Sequence, residues 1–151
     1  MKLSEILHRS CVKMPLEAGD RDGIIEELVD LLASGGRVTT RDALLSTVMA
    51  REHVRSTGIG RGLAVPHGKT AGCHGLAMAV GKPASPIDFG SIDGLPVEVI
   101  VLLASPLEQH GPHIQALARI SRLMLTDSFR QAILAARNAD ELFQVIAAHD
   151  H

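Results

Sequence analysis

Apolar residues recur at helical spacing early in the chain, merge into unbroken runs in the middle, and return to helical spacing in the last third. Ile24, Ile25, Leu28, Val29, Leu31 and Leu32 repeat every three to four positions and predict an amphipathic helix that stops at Gly35-Gly36. A second helix is predicted from Thr39 as N-cap, with Asp42 three residues on, carrying Leu44, Leu45, Val48 and Met49 inward. Leu63, Ala64 and Val65 predict a short buried strand that ends at Pro66, which has no N–H for a sheet ladder. Leu76 to Val80 and Val97 to Leu103 predict two more strands. The second is nearly continuous in apolar residues, as expected of a central strand covered on both faces. Gly81, Pro83, Pro86 and Asp93-Gly94 mark turns around them. Ile114, Leu117, Ala118, Ser121 and Leu125 then share one face of a helix, and Asp127 and Asn138 suit the N-caps of two further ones. The order of elements predicts a single α/β domain with a small sheet between helices.

Composition narrows the possible partners. A chain of 151 residues can bury one core without metal or disulfide staples. Its 15 Lys and Arg against 17 Asp and Glu leave a net charge of -2, which offers no basic footprint for nucleic acid. Phe89, Phe129 and Phe143 are too few for a base-stacking platform. Cys11 and Cys73 suggest no disulfide framework, in keeping with a reducing cytoplasm. No signal peptide or apolar run of membrane-crossing length is present, so a membrane role would come through a partner.

Candidate chemistry concentrates in the run from Ser56 to Lys69. Gly58, Gly60 and Gly62 stand at alternate positions, where the backbone can turn sharply or approach a ligand. The run ends on His67 between Pro66 and Gly68, so the ring is expected at the mouth of a rigid element with room in front of it. Two nucleotide motifs fail here. A dinucleotide fingerprint wants glycine where Leu63 stands, and a P-loop ending on Gly68-Lys69-Thr70 also wants its first glycine at Leu63. In His110-Gly111-Pro112-His113, Pro112 suits the first helical position and puts His113 in a first turn, where unpaired amides favour an anion. Arg51, at the end of the second helix, has the planar fork that suits a phosphoryl group. One nucleophilic imidazole, one supporting imidazole and one arginine make a plausible phosphoryl-transfer site. The plain alternatives are a packed loop histidine, a solvated first-turn histidine and a helix-end cation that balances the dipole. The rival chemistry is a metal-dependent hydrolase built on Cys73, His74, His110 and His113. Against it, Cys73-His74 is an adjacent pair in a loop, and no second close-spaced set appears. His8 and His53 have no evident partners, and His149-Asp150-His151 reads as a frayed end.

The stretch from Arg51-Glu52 through Ser56-Thr57-Gly58-Ile59-Gly60 to Leu63-Ala64-Val65-Pro66-His67-Gly68 resembles a known signature. It is similar to the phosphorylation site of enzyme IIA components of the mannitol/fructose class, in the bacterial phosphoenolpyruvate-dependent sugar phosphotransferase system. His113-Ile114-Gln115-Ala116-Leu117 resembles the segment with that family's second histidine. The resemblance runs over nearly the whole chain and implies a single IIA domain over residues 1–151, with a small mixed sheet flanked by helices. It implies no metal and no organic cofactor. It further implies that His67 accepts a phosphoryl group from an HPr-type carrier and passes it to a cysteine of an enzyme IIB component. His113 matches the supporting histidine and Arg51 the arginine near the phosphoryl group, with Ser56, Thr57, Gly58, Gly60 and Gly68 shaping the binding loop. Two branches are open: sugar uptake through IIB and IIC components, or a nitrogen-regulatory protein that signals to targets by its phosphorylation state. A IIA unit with no IIB cysteine and no membrane span tilts the expectation mildly toward regulation, in the cytoplasm and without nucleic acid.

Overall fold

The unbroken apolar run becomes β6 (Val99–Ser105), in which every residue is buried. The computed structural model describes residues 2–149. Strand alternation sends Val99, Val101 and Leu103 into one core and Ile100, Leu102 and Ala104 into the other. The first core lies under α3 (His110–Leu125), α4 (Asp127–Ala135) and α5 (Ala139–Ala148). The second lies under α1 (Arg21–Ser34) and α2 (Arg41–Val54). A mixed sheet between two helical layers is therefore the architecture.

The sheet has six strands. β1 (Leu7–Leu16) runs parallel to β5 (Ala77–Pro83), which runs antiparallel to β6. On the other side of β6 the ladder is shared. β3 (Leu63–Ala64) pairs parallel with Val99 and Ile100, and β4 (His67–Lys69) pairs parallel with Leu103, Ala104 and Ser105. β2 (Gly58–Gly60) closes the edge as the antiparallel partner of β3.

Several boundaries differ from the sequence reading. β1 was not predicted, because His8, Arg9 and Ser10 are consecutively exposed and its pairing with β5 shifts register twice. β5 runs through Gly81 to Pro83 where turns were expected. A Cβ on Gly81 would lie 2.6 Å from Leu16 Cδ1, so glycine there admits a neighbouring side chain. The N-cap of α2 is Thr40, not Thr39, and neither hydroxyl caps the helix. Thr40 Oγ meets Thr70 Oγ at 2.6 Å and Thr39 Oγ donates to the Gly72 carbonyl at 3.3 Å, tying the helix start to the segment after β4. α3 begins at His110, so Pro112 is its third residue rather than its first. Its buried stripe is His113, Ala116, Ile120 and Met124, while Ile114 and Leu125 are exposed. The predicted face is thus rotated off the core. Asp127 is the first residue of α4 and Thr126 its N-cap. Asn138 caps α5 as expected, accepting from Glu141 N–H at 2.9 Å. Asp150 and His151 lie outside the described residues. His149 Nδ1 donates to the Val145 carbonyl at 2.9 Å, so this part of the tail is held to α5. No helix among the described residues is long and apolar enough to cross a membrane.

Candidate active site

β3 and β4 occupy one strand position beside β6, interrupted at Val65-Pro66. The Pro66 carbonyl still accepts from Leu103 N–H at 3.0 Å, but Val65 turns its carbonyl elsewhere. His67 is therefore the first residue of the resumed strand, not a residue beyond its end. Its Nδ1 lies 2.9 Å from the Val65 carbonyl oxygen. A carbonyl can only accept, so Nδ1 carries the hydrogen and Nε2 keeps the lone pair in the neutral ring. Half-burial lowers the His67 pKa below its ordinary 6.5; the Val65 bond opposes this and the Arg51 charge adds to it. Neutral His67 is the form with a nucleophilic nitrogen.

Gly68 is packed against α2. A Cβ there would stand 2.9 Å from Val48 Cγ2 and 3.2 Å from Thr47 Cγ2, so the glycine lets α2 press against β4. The preceding glycines shape a tight hairpin: Gly60 and Gly62 have φ of +96° and +84°, and Arg61 between them has +56°. Gly58 lets Ser91 close over the loop, and Ser56 Oγ donates to the Phe89 carbonyl at 2.5 Å. Gly58 N–H in turn donates to Ser56 Oγ at 3.0 Å.

A pocket of about 450 Å³ opens in front of this loop, lined among others by Arg51, Arg55, Thr57, Ile59, His67 and Leu117. Ser56 and Gly58 also face it, whereas Gly60 and Gly68 do not. Arg51 Nη1 donates to the Arg55 carbonyl at 2.6 Å, which fixes its guanidinium at the end of α2. Arg55 was not singled out in the sequence, where it stands in a run of loop polar residues. Glu52, which follows Arg51 in the family-like stretch, is only 2% exposed. Its carboxylate accepts from both Thr57 N–H and Thr57 Oγ.

His113 approaches from α3. Its ring centroid lies 5.3 Å from that of His67, at 65° between planes. The residue is buried, not solvated, and its N–H is taken by the Gln109 carbonyl at 3.2 Å, so that amide is not an open anion donor. Its Nδ1 sits 2.5 Å from Ser105 Oγ. Burial, then the nearby His67, Lys69 and His110, lower its pKa from 6.5 to about 4, so the ring is neutral at physiological pH. Lys69 Nζ touches His110 Nδ1 and adds positive charge to the same end of β4. The proposed metal set does not assemble. Cys73 is buried with Sγ donating to the Gly75 carbonyl at 2.9 Å, and no three His, Cys, Asp or Glu among the described residues converge to hold a metal. His53 does have a neighbour, Asp22, at 3.7 Å on the surface.

Two neutral imidazoles edge to edge, a lone pair on His67 Nε2 and two arginines lining the adjoining pocket make an arrangement suited to a phosphoryl group. Comparison with known proteins gives the class: the chain is a phosphotransferase component. Residues 5–149 match the family described as phosphoenolpyruvate-dependent sugar phosphotransferase system, EIIA 2, and the chain belongs to that family. It is 33% identical over 150 residues to the fructose-specific EIIABC component of Bacillus subtilis, covering 99% of this chain but 24% of that protein. It is 30% identical over 145 residues to the fructose-specific EIIA component of Haloferax volcanii, covering 96% of this chain and 94% of that one. The nitrogen regulatory protein IIA-Ntr from Neisseria meningitidis superposes with a TM-score of 0.86 at 29% identity, over 95% of this chain and 98% of that one.

Proposed function

We propose that the chain is a histidine phosphocarrier, a single IIA unit over its whole length, in which His67 bears the phosphoryl group. The observation that carries this reading is the Nδ1–H bond from His67 to the Val65 carbonyl, which leaves Nε2 as a lone pair beside an arginine-lined pocket. In the step proposed, Nε2 attacks the phosphorus of a phosphohistidine on an HPr-type carrier. The donor's P–N bond breaks, its electron pair returns to the donor ring, and a new P–N bond forms on His67. Little covalent machinery is needed beyond in-line approach and cations around the transferred oxygens. Arg51 is assigned to those oxygens, and His113 supports the phosphorylated ring.

Onward transfer goes to a cysteine thiolate of a IIB component, or the phosphorylated state itself is the signal to a regulatory target. Relatives named as fructose-specific components and as a nitrogen regulatory protein fit these two outlets. A cytoplasmic location fits both outlets and is part of this proposal. Incubation with phosphoenolpyruvate, enzyme I and HPr should add one acid-labile phosphoryl group to the wild-type chain and none to His67→Ala. Labelling of the alanine variant at the wild-type level would sink the assignment.

A further inference from the structure

Ser105, the last residue of β6, is fully buried at 0% exposure. Its backbone is fixed by the β4 ladder opposite Lys69 and by Thr70 N–H donating to its carbonyl at 3.0 Å. Its hydroxyl lies 2.5 Å from His113 Nδ1, the one hydrogen-bond partner of that oxygen among the described residues. Two arrangements are possible across this contact. If Nδ1–H donated to Oγ, the serine proton would point at no acceptor in a site closed to water, and an orphaned buried donor is disfavoured. If Oγ–H donates to Nδ1, both groups are satisfied and the ring proton sits on Nε2.

We propose that Ser105 is a positioning residue that fixes the tautomer of His113, so that His113 offers Nε2–H as a hydrogen-bond donor to the phosphoryl group on His67. The two rings then take opposite tautomers because of what holds Nδ1. The Val65 carbonyl accepts from His67 and leaves Nε2 a nucleophile; the Ser105 hydroxyl donates to His113 and leaves Nε2 a donor. Lone pair and N–H meet in one site without either ring being charged. A neutral donor steadies the phosphoryl oxygens without adding a further full charge that would hold the group back from onward transfer. The functional half of this inference rests on His67 carrying the phosphoryl group; the tautomer does not.

Histidine-selective 15N labelling and long-range 1H–15N correlation of the unphosphorylated chain above pH 7 read the tautomer directly. His113 is expected in the Nε2–H form. In Ser105→Ala it should become a mixture of tautomers, with phosphoryl transfer from His67 slowed about tenfold, the ratio for one lost hydrogen bond. Ser105→Thr keeps the hydroxyl and should restore both. A wild-type His113 in the Nδ1–H form overturns the proposal, even if Ser105→Ala does not fold. So does an alanine variant that slows transfer while leaving the tautomer unchanged, because packing alone would then explain it. A chain with the expected tautomer that takes no phosphoryl group from phospho-HPr would instead overturn the carrier reading.

Discussion

The carboxylate of Glu52 holds both polar hydrogens of Thr57: Oε2 accepts the backbone N–H at 2.8 Å and Oε1 the hydroxyl at 2.6 Å. Both residues are buried. The Thr57 carbonyl accepts from Val65 N–H at 3.0 Å, and the Val65 carbonyl orients His67. A line of hydrogen bonds thus runs from the end of α2 to the His67 ring.

Breaking that line at its origin should be felt twice. Glu52→Gln can accept only one of the two hydrogens and turns an amide donor toward the other. Loss of about 1–3 kcal/mol in urea denaturation is expected, with slower phosphorylation of His67 by phospho-HPr. Wild-type stability and rate in this variant would remove Glu52 from the account.

Arg51 and Arg55 line the pocket beside His67, and Arg51 already donates to the helix-end carbonyl of Arg55. Arg51→Lys keeps a cation at the C-terminal end of α2, so stability should change by roughly 0.5 kcal/mol or less. Transfer should fall by about tenfold, because lysine lacks the planar fork. A lysine variant that transfers at the wild-type rate while keeping its stability would reduce Arg51 to a surface cation.

Stability should also depend on pH through His113. The unfolded ring titrates near 6.5 and the folded one near 4, because the buried site disfavours its charge. Between these values the unfolded chain binds a proton that the folded chain refuses. Stability therefore falls as pH drops from 6.5 toward 4, and the contribution is complete above that window. Across the window wild type should lose on the order of 2–3 kcal/mol more than His113→Gln. Parallel denaturation profiles for the two proteins would contradict this.

At the opposite end of β5, Lys82 is 8% exposed and its Nζ donates to the carbonyls of Ile133, Leu134 and Ala136 at 3.0, 2.9 and 3.1 Å. They cluster at the C-terminal end of α4, where the Ile133 carbonyl also accepts from Ala136 N–H at 3.3 Å. Lys82→Met should cost about 1–3 kcal/mol of stability, because the Leu134 and Ala136 carbonyls lose this donor. The rate of phosphorylation of His67 should stay at the wild-type value; a slowed rate would show the two ends of the sheet to be coupled.

The central strand and most helices were legible because Val99 to Leu103 is uniformly apolar and the helices repeat with period 3.6. β1 was not, since its bulged pairing breaks the alternation on which such readings rest. The face of α3 was misjudged for a related reason: Ile114 is the more apolar residue, yet His113 is buried because it has Ser105 to satisfy it. In the site, the resemblance pointed to His67, His113 and Arg51, and the structure gathers them at one end of β6. The residues that orient the rings were invisible in sequence order. Val65 acts through its carbonyl, Ser105 through a contact eight positions along the chain, and Glu52 through a turn that pattern cannot show.

The central claim is that the Val65 carbonyl holds Nδ1–H of His67 and so directs phosphorylation to Nε2. Two-dimensional 1H–31P correlation on the chain phosphorylated through phosphoenolpyruvate, enzyme I and HPr reads which ring and which nitrogen carries phosphorus. The account predicts one phosphorylated ring, His67, with the P–N bond at Nε2. Phosphorus on Nδ1 of His67, or on His113, would contradict it.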